Sequence, residues 1–207
     1  MSHPERASRR DFLRIVAGLS TALAAGTQTP AAAQAPLRPT PNCPDEPRAT
    51  PRQTEGPFFK PESPLRTSLL EPGIGGVKIV VSGVVLSTGC RPVARALVDV
   101  WHADDRGAYD NTGNRLRGHQ FTDDEGRYRL ETIVPGVYVG RTRHYHVKVQ
   151  APNRPALTTQ LYFPDDPGNE RDPIFNRALL MQVRDAADGK AATFDFVLDL
   201  GDRPGKD

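Results

Sequence analysis

Apolar and β-branched residues fall in short runs once the chain passes residue 77. Residues 77–86 form a nearly continuous apolar run, which predicts a strand buried on both faces. Residues 96–101 continue the same style. Residues 127–133 and 142–150 alternate between apolar and polar, the period of a strand with two different faces. Residues 157–163 and 193–200 complete the set. Turn signals separate the runs: Asp123-Asp124-Glu125-Gly126 is one and Val134-Pro135-Gly136 another. No window after residue 36 carries a long 3.6-residue stripe, and residues 174–183 fit either a short helix or a strand. Many short strands at close spacing predict an all-β chain folded as an antiparallel β-sandwich.

The front of the chain is different material. Of 20 prolines, 11 fall at or before Pro64. Residues 34–64 show no periodicity and read as an extended, proline-rich arm lying over a domain of residues 65–207. Ahead of the arm, Ser8-Arg9-Arg10-Asp11-Phe12-Leu13-Arg14 is a twin-arginine pattern. An uncharged apolar stretch follows it, then Ala31-Ala32-Ala33. The order basic, apolar, small predicts an export signal over residues 1–33, cleaved after Ala33. The apolar run is too short for a stable membrane anchor. The twin-arginine export machinery would deliver a folded protein to the periplasm or the exterior. That route suits a cofactor loaded before export.

Charge changes with that reading. The chain has 27 Lys and Arg against 25 Asp and Glu, a formal net charge of +2. The signal holds four Arg and two acids, so the remainder carries 23 of each and is neutral. A dense basic face for nucleic acid is excluded. Cys43 and Cys90 both survive cleavage. In an oxidising compartment they predict one disulfide, with two free buried thiols as the alternative.

His144-Tyr145-His146 is the sharpest local feature. Alternation sends His144 and His146 to one strand face, and two imidazoles one pleat apart can share a metal. A solvated strand face would look the same, because Thr142, Lys148 and Gln150 share that side. Tyr109 and Tyr138 follow turn signals, and each reads either as a turn-packing aromatic or as a ligand. A phenolate is a hard anionic donor suited to ferric iron; two phenolates and two neutral imidazoles would leave a net charge near +1. The chain has no C-x-x-C, no H-E-x-x-H and no phosphate-cradling glycine loop. It also lacks G-x-S-x-G. The acid pairs Asp104-Asp105, Asp123-Asp124 and Asp165-Asp166 sit at turns and read as turn-builders.

Taken in order, several stretches resemble the intradiol ring-cleavage dioxygenases, the family of protocatechuate 3,4-dioxygenase and catechol 1,2-dioxygenase. They are Thr54-Glu55-Gly56-Pro57-Phe58-Phe59, then Ala96 to Asp104 with Gly107 and Tyr109. Thr122-Asp123 with Gly126 and Tyr128 follows, and Thr132-Ile133-Val134-Pro135-Gly136-Val137-Tyr138 after it. Arg141, His144-Tyr145-His146 and Leu157 to Phe163 close the series. The resemblance implies a mononuclear non-haem Fe(3+) centre held by Tyr109, Tyr138, His144 and His146. It implies that Tyr138 leaves the metal when substrate chelates and helps to deprotonate it. By the same resemblance Arg141 stabilises charge developing on the ring, and Gln160 supports Arg141 or the substrate. The implied reaction opens a catechol between its two hydroxylated carbons with dioxygen, giving a cis,cis-muconate-type diacid. Val139-Gly140 departs from the family, which commonly has Pro and a bulky aromatic there; the change is expected to enlarge the pocket. Subunit assembly varies in this family, so a homo-oligomer is left open. Two other classes fit the fold alone: a non-catalytic periplasmic ligand-binding sandwich, and a copper or zinc protein built on the H-x-H strand.

Overall fold

The structure is a computed structural model, and it describes residues 48–201. The twin-arginine segment and Cys43, and with it the Cys43–Cys90 pairing, lie outside the described residues.

Among the described residues, nine strands build two sheets. The first contains β1 (Lys78–Ser87), β4 (Arg127–Ile133), β7 (Gln182–Ala186), β8 (Gly189–Thr193) and β9 (Phe196–Leu198). Its order is β4-β1-β8-β7, with β9 also paired to β1. The second contains β2 (Leu97–Trp101), β3 (Arg117–Phe121), β5 (His144–Gln150) and β6 (Leu157–Tyr162), in the order β3-β2-β5-β6. Most pairings are antiparallel, whereas β8 and β9 run parallel to β1. Residues 174–183 resolve into a 3-10 turn at Arg177–Leu179 and the start of β7.

The core lies between the sheets. Ile79, Val81, Val85, Tyr128, Leu130 and Phe196 meet Val98, Val100, Tyr145, Val147, Val149 and Leu161. Strand alternation therefore assigns the other face of the second sheet to Asp99, Trp101, Arg117, His119, His144, His146, Lys148, Gln160 and Tyr162. Pairing aligns one row across all four strands: Arg117 opposite Trp101, Trp101 opposite His146, His146 opposite Gln160. The neighbouring row runs His119, Asp99, Lys148, Thr158.

This polar face is buried, because the chain before β1 is laid over it. The Gln53 amide donates to Thr158 O at 2.8 Å, beside the β6 edge. The His119 amide donates to Pro64 O at 2.9 Å and the Arg66 amide to His119 O at 2.9 Å, beside the β3 edge. Between these points the segment crosses the sheet. Glu55 pairs with Lys148 at 2.6 Å, and the Lys148 ammonium sits 3.9 Å from the Phe59 ring centre. Phe59 packs on Trp101 at 4.9 Å. One segment thus covers a face and both strand edges, which also removes unpaired edges as pairing templates.

The acidic turn residues behave as turn chemistry dictates. Asp104 Oδ1 accepts from the Arg106 and Ala108 amides, and Asp123 Oδ1 from the Glu125 and Arg127 amides. Asp166 accepts from the Gly168 amide and also pairs with Arg143.

His102, just after β2, is fully buried with Nδ1 on Ala103 O and Nε2 on Thr132 Oγ1. Burial lowers its pKa from 6.5 to about 4. Its imidazole is neutral when folded but takes a proton below pH 6.5 when unfolded, so stability is complete above 6.5 and falls with pH towards 4. Metal-free protein is expected to lose about 3 kcal/mol more than a His102→Gln variant between pH 7 and pH 4. Denaturant titrations across that range measure it; equal pH slopes would show that His102 contributes no linkage.

Candidate metal centre

Strand β5 places His144 and His146 on the covered face, 4 % and 3 % exposed. Their Nε2 atoms lie 3.1 Å apart, and the Tyr109 hydroxyl is 3.5 Å from His144 Nε2. His144 Nδ1 lies 2.7 Å from Thr142 O. A carbonyl only accepts, so Nδ1 carries the proton and Nε2 presents a lone pair. Burial lowers the His144 pKa to about 4, so the ring is neutral. His146 is pushed well below the ordinary range by burial, then by His144 and Arg141. Its Nδ1 is buried without a hydrogen-bond partner. Trp101 lies parallel to the His146 ring at 5.0 Å and holds its plane.

Two loops deliver the tyrosines. Tyr109 ends the turn built on Asp104. Tyr138 follows the Pro135-Gly136 turn, whose base is tied where Tyr145 Oη donates to Ile133 O at 2.8 Å. The two loops touch backbone to backbone. The Gly136 amide donates to Asp104 O at 2.7 Å. A Cβ on Gly136 would sit 2.5 Å from Asp105 O, and one on Gly107 2.2 Å from Val137 O. No larger residue fits that contact, and it brings the two rings to 5.8 Å, edge to face. Phe58, from the covering segment, stacks on Tyr109 at 4.4 Å and meets Tyr138 edge-on at 5.3 Å. Burial raises the Tyr109 pKa above its ordinary value, against the charges of Arg141 and Arg117.

Arg141 stands behind the histidines. Its Nε donates to Asp172 Oδ2 at 2.8 Å and its Nη2 to Gln160 Oε1 at 2.7 Å. Gln160, fully buried, donates from Nε2 to Thr54 O at 3.0 Å. Tyr162 Oη lies 3.0 Å from Gln160 Oε1. The six side chains singled out from sequence, Tyr109, Tyr138, Arg141, His144, His146 and Gln160, therefore gather at one place. The sequence reading did not single out Asp172, Arg117, Trp101 or Tyr162. Asp172 had no motif to mark it: it is a loop acid whose buried carboxylate also accepts from the Thr142 amide. Trp101 and Arg117 were findable only through the register that aligns them with His146.

The donor set fits a cation. His144 Nε2 presents a lone pair 3.1 Å from His146 Nε2, and the buried His146 Nδ1 has no hydrogen-bond partner, so the hydrogen bonds present leave the pair incompletely satisfied. Among the described residues no group of three or more His, Cys, Asp or Glu gathers to hold a metal. The Tyr109 hydroxyl lies beside the H-x-H pair, and the Tyr138 ring meets the Tyr109 ring. Gly56 makes room for this: it has φ +68°, and a Cβ there would lie 3.2 Å from His146 Cε1.

A family model described as dioxygenase matches residues 54–200. The protocatechuate 3,4-dioxygenase beta chain of Burkholderia cepacia is 38% identical over 118 residues, 48% of this chain and 50% of that relative. The hydroxyquinol 1,2-dioxygenase of a Rhizobium species is 31% identical over 166 residues, 66% of this chain and 56% of the relative. Among solved structures, one is the dioxygenase domain of a dioxygenase and carbohydrate-binding protein fusion from Streptomyces sp. SirexAA-E. It superposes with a TM-score of 0.72 at 58% identity, over 73% of this chain and 99% of its own. The chain belongs to this dioxygenase family. It spans about half the length of the curated relatives it matches.

Gly56→Ala is expected to push the covering segment off His146 and lower metal content while leaving the sandwich folded. Metal analysis with a thermal melt tests it; unchanged metal content would show that the contact does not constrain the ring.

Proposed function

We propose that the chain is a non-haem ferric intradiol dioxygenase acting on a catecholic aromatic. The observation that carries this reading is the approach of His144 Nε2 and His146 Nε2 to 3.1 Å beside the Tyr109 hydroxyl, with no group of three or more His, Cys, Asp or Glu among the described residues to hold a metal instead. Tyr109, Tyr138, His144 and His146 would hold the iron. Ferric iron bound there would chelate a catecholate and activate its ring towards dioxygen.

The protein residues then have distinct tasks. His144 is oriented by the proton it gives to Thr142 O, which keeps Nε2 free as a donor. His146 is held by its stack on Trp101. Tyr138 sits on the loop with exposed Val137 and Val139, and is itself half-buried, whereas the two histidines are buried. It is the donor placed to yield to an incoming catechol, taking a catechol proton onto its own Oη. Arg141, aimed by Asp172 and Gln160, offers a fixed positive charge to the negative charge that develops on the ring. Both oxygen atoms enter the product, a cis,cis-muconate-type diacid, so no external reductant is consumed.

The comparisons support the same class, since relatives named as catechol, hydroxyquinol and protocatechuate dioxygenases match residues of this core. The Streptomyces dioxygenase domain is matched over nearly its whole length, which supports the same class for this core. Export belongs to the same proposal and is supported by the twin-arginine pattern, Ser8 to Arg14.

Protein grown with ample iron is expected to bind about one iron per chain, absorb in the visible from phenolate-to-iron charge transfer, and take up dioxygen with catechols. Tyr109→Phe and His146→Ala should each lose colour and lower turnover by more than roughly 100-fold, beyond the cost of losing a supporting residue. A colourless, iron-free wild-type protein would contradict the reading, as would full turnover in either variant.

A further inference from the structure

Arg117 is 2 % exposed and has no carboxylate within ion-pair distance among the described residues. The Asp110 carboxylate is committed elsewhere, to the Thr112, Gly113 and Arg115 amides. The guanidinium spends its donors on backbone carbonyls instead. Nη1 donates to Phe58 O at 2.6 Å, Nη2 to Asp110 O at 2.8 Å and Nε to Asp110 O at 3.2 Å. A buried cation with no direct ion-pair partner is costly even with the Asp110 and Asp99 charges acting on it from a distance, and neutral donors could serve carbonyls. The charge and the forked shape therefore need a reason.

The two carbonyls supply it. One belongs to Phe58, the ring stacked on Tyr109 with its plane 17° away. The other belongs to Asp110, the residue after Tyr109. One planar fork thus grips the covering segment and the Tyr109 loop from either side of their stack. Arg117 is itself fixed by its place in the sheet, next to Trp101 and one strand further from His146. The grip ties the tyrosine loop to the same row that carries a histidine donor.

We propose that Arg117 is a positioning residue for Tyr109: by clamping the Phe58 and Asp110 carbonyls it sets where the Tyr109 oxygen stands relative to His144 and His146. This rests on the iron reading above. Its fixed charge also favours the phenolate that a bound metal would create, and that anion would join Asp110 and Asp99 as countercharge to the guanidinium. Lysine cannot replace it, because a single ammonium has no planar fork to span two carbonyls.

Arg117→Lys, prepared with iron, tests the proposal through three readouts: the charge-transfer band, iron retained against a chelator, and thermal unfolding of the iron-free form. A folded variant with a shifted or weakened band and iron retention lowered about 10–100-fold supports it. A folded variant with the wild-type band and retention overturns it. Should Arg117→Lys fail to fold, Arg117→Gln carries the test, since a neutral amide of smaller span removes the fork across the two carbonyls without leaving a buried charge. A displaced band or lowered iron retention in Arg117→Gln supports the clamp, and a wild-type band and retention overturn it. Wild-type protein with the band sets this question apart from the first: its absence there overturns the iron reading and the clamp together, whereas its presence with unaltered variants overturns the clamp alone.

Discussion

Two neutral imidazoles, buried, with their Nε2 atoms 3.1 Å apart and one Nδ1 without a partner, hold an arrangement that hydrogen bonding alone does not satisfy. Each ring is oriented by something other than its partner. Thr142 O takes the His144 proton, and Trp101 lies flat against His146. The pair stays neutral because it is buried, and it is buried because residues before β1 cross the outer face of the second sheet. A face that would otherwise be ordinary solvated polar strand becomes a closed layer containing Arg117, Trp101, His146 and Gln160 in one row.

That covering explains what could and could not be read in advance. Alternation in residues 142–150 placed both histidines on one side. It left open whether that side met water, since Lys148 and Gln150 share it. The answer lies some ninety residues earlier, in Glu55 pairing with Lys148 and Phe59 beneath the same ammonium. Long-range contacts of this kind leave no periodic trace. The strands that were missed have similar reasons. β3 holds Arg117, Gly118 and His119 and lacks β-branched residues; β8 is Gly-Lys-Ala-Ala-Thr, whose strand form comes from pairing to β1 and β7. The tyrosine loops were legible as turns, but their contact depends on Gly107 and Gly136 touching across space. The parallel pairings of β8 and β9 with β1 could not follow from local pattern at all.

Charge at the centre is organised by supporting residues more than by the donors. Asp172 and Gln160 hold Arg141 from two sides, and both are buried. Removing either would leave a guanidinium with a lost partner in a nearly dry setting, a larger penalty than a surface ion pair carries. Arg141 and Arg117 both act on Tyr109 in the direction that favours a phenolate, against burial, which favours the phenol. The balance tips towards the phenolate once a cation occupies the space between the donors. Metal loading and the ionisation of Tyr109 are therefore one event in this account.

The central claim is that Tyr109, Tyr138, His144 and His146 enclose a single iron on the covered face of the second sheet. Anomalous diffraction at the iron edge, from crystals of protein grown with iron, measures it directly. The account predicts one peak per chain, in contact with Tyr109 Oη, Tyr138 Oη, His144 Nε2 and His146 Nε2. A peak elsewhere, or no peak between the two histidines in iron-replete protein, would contradict it.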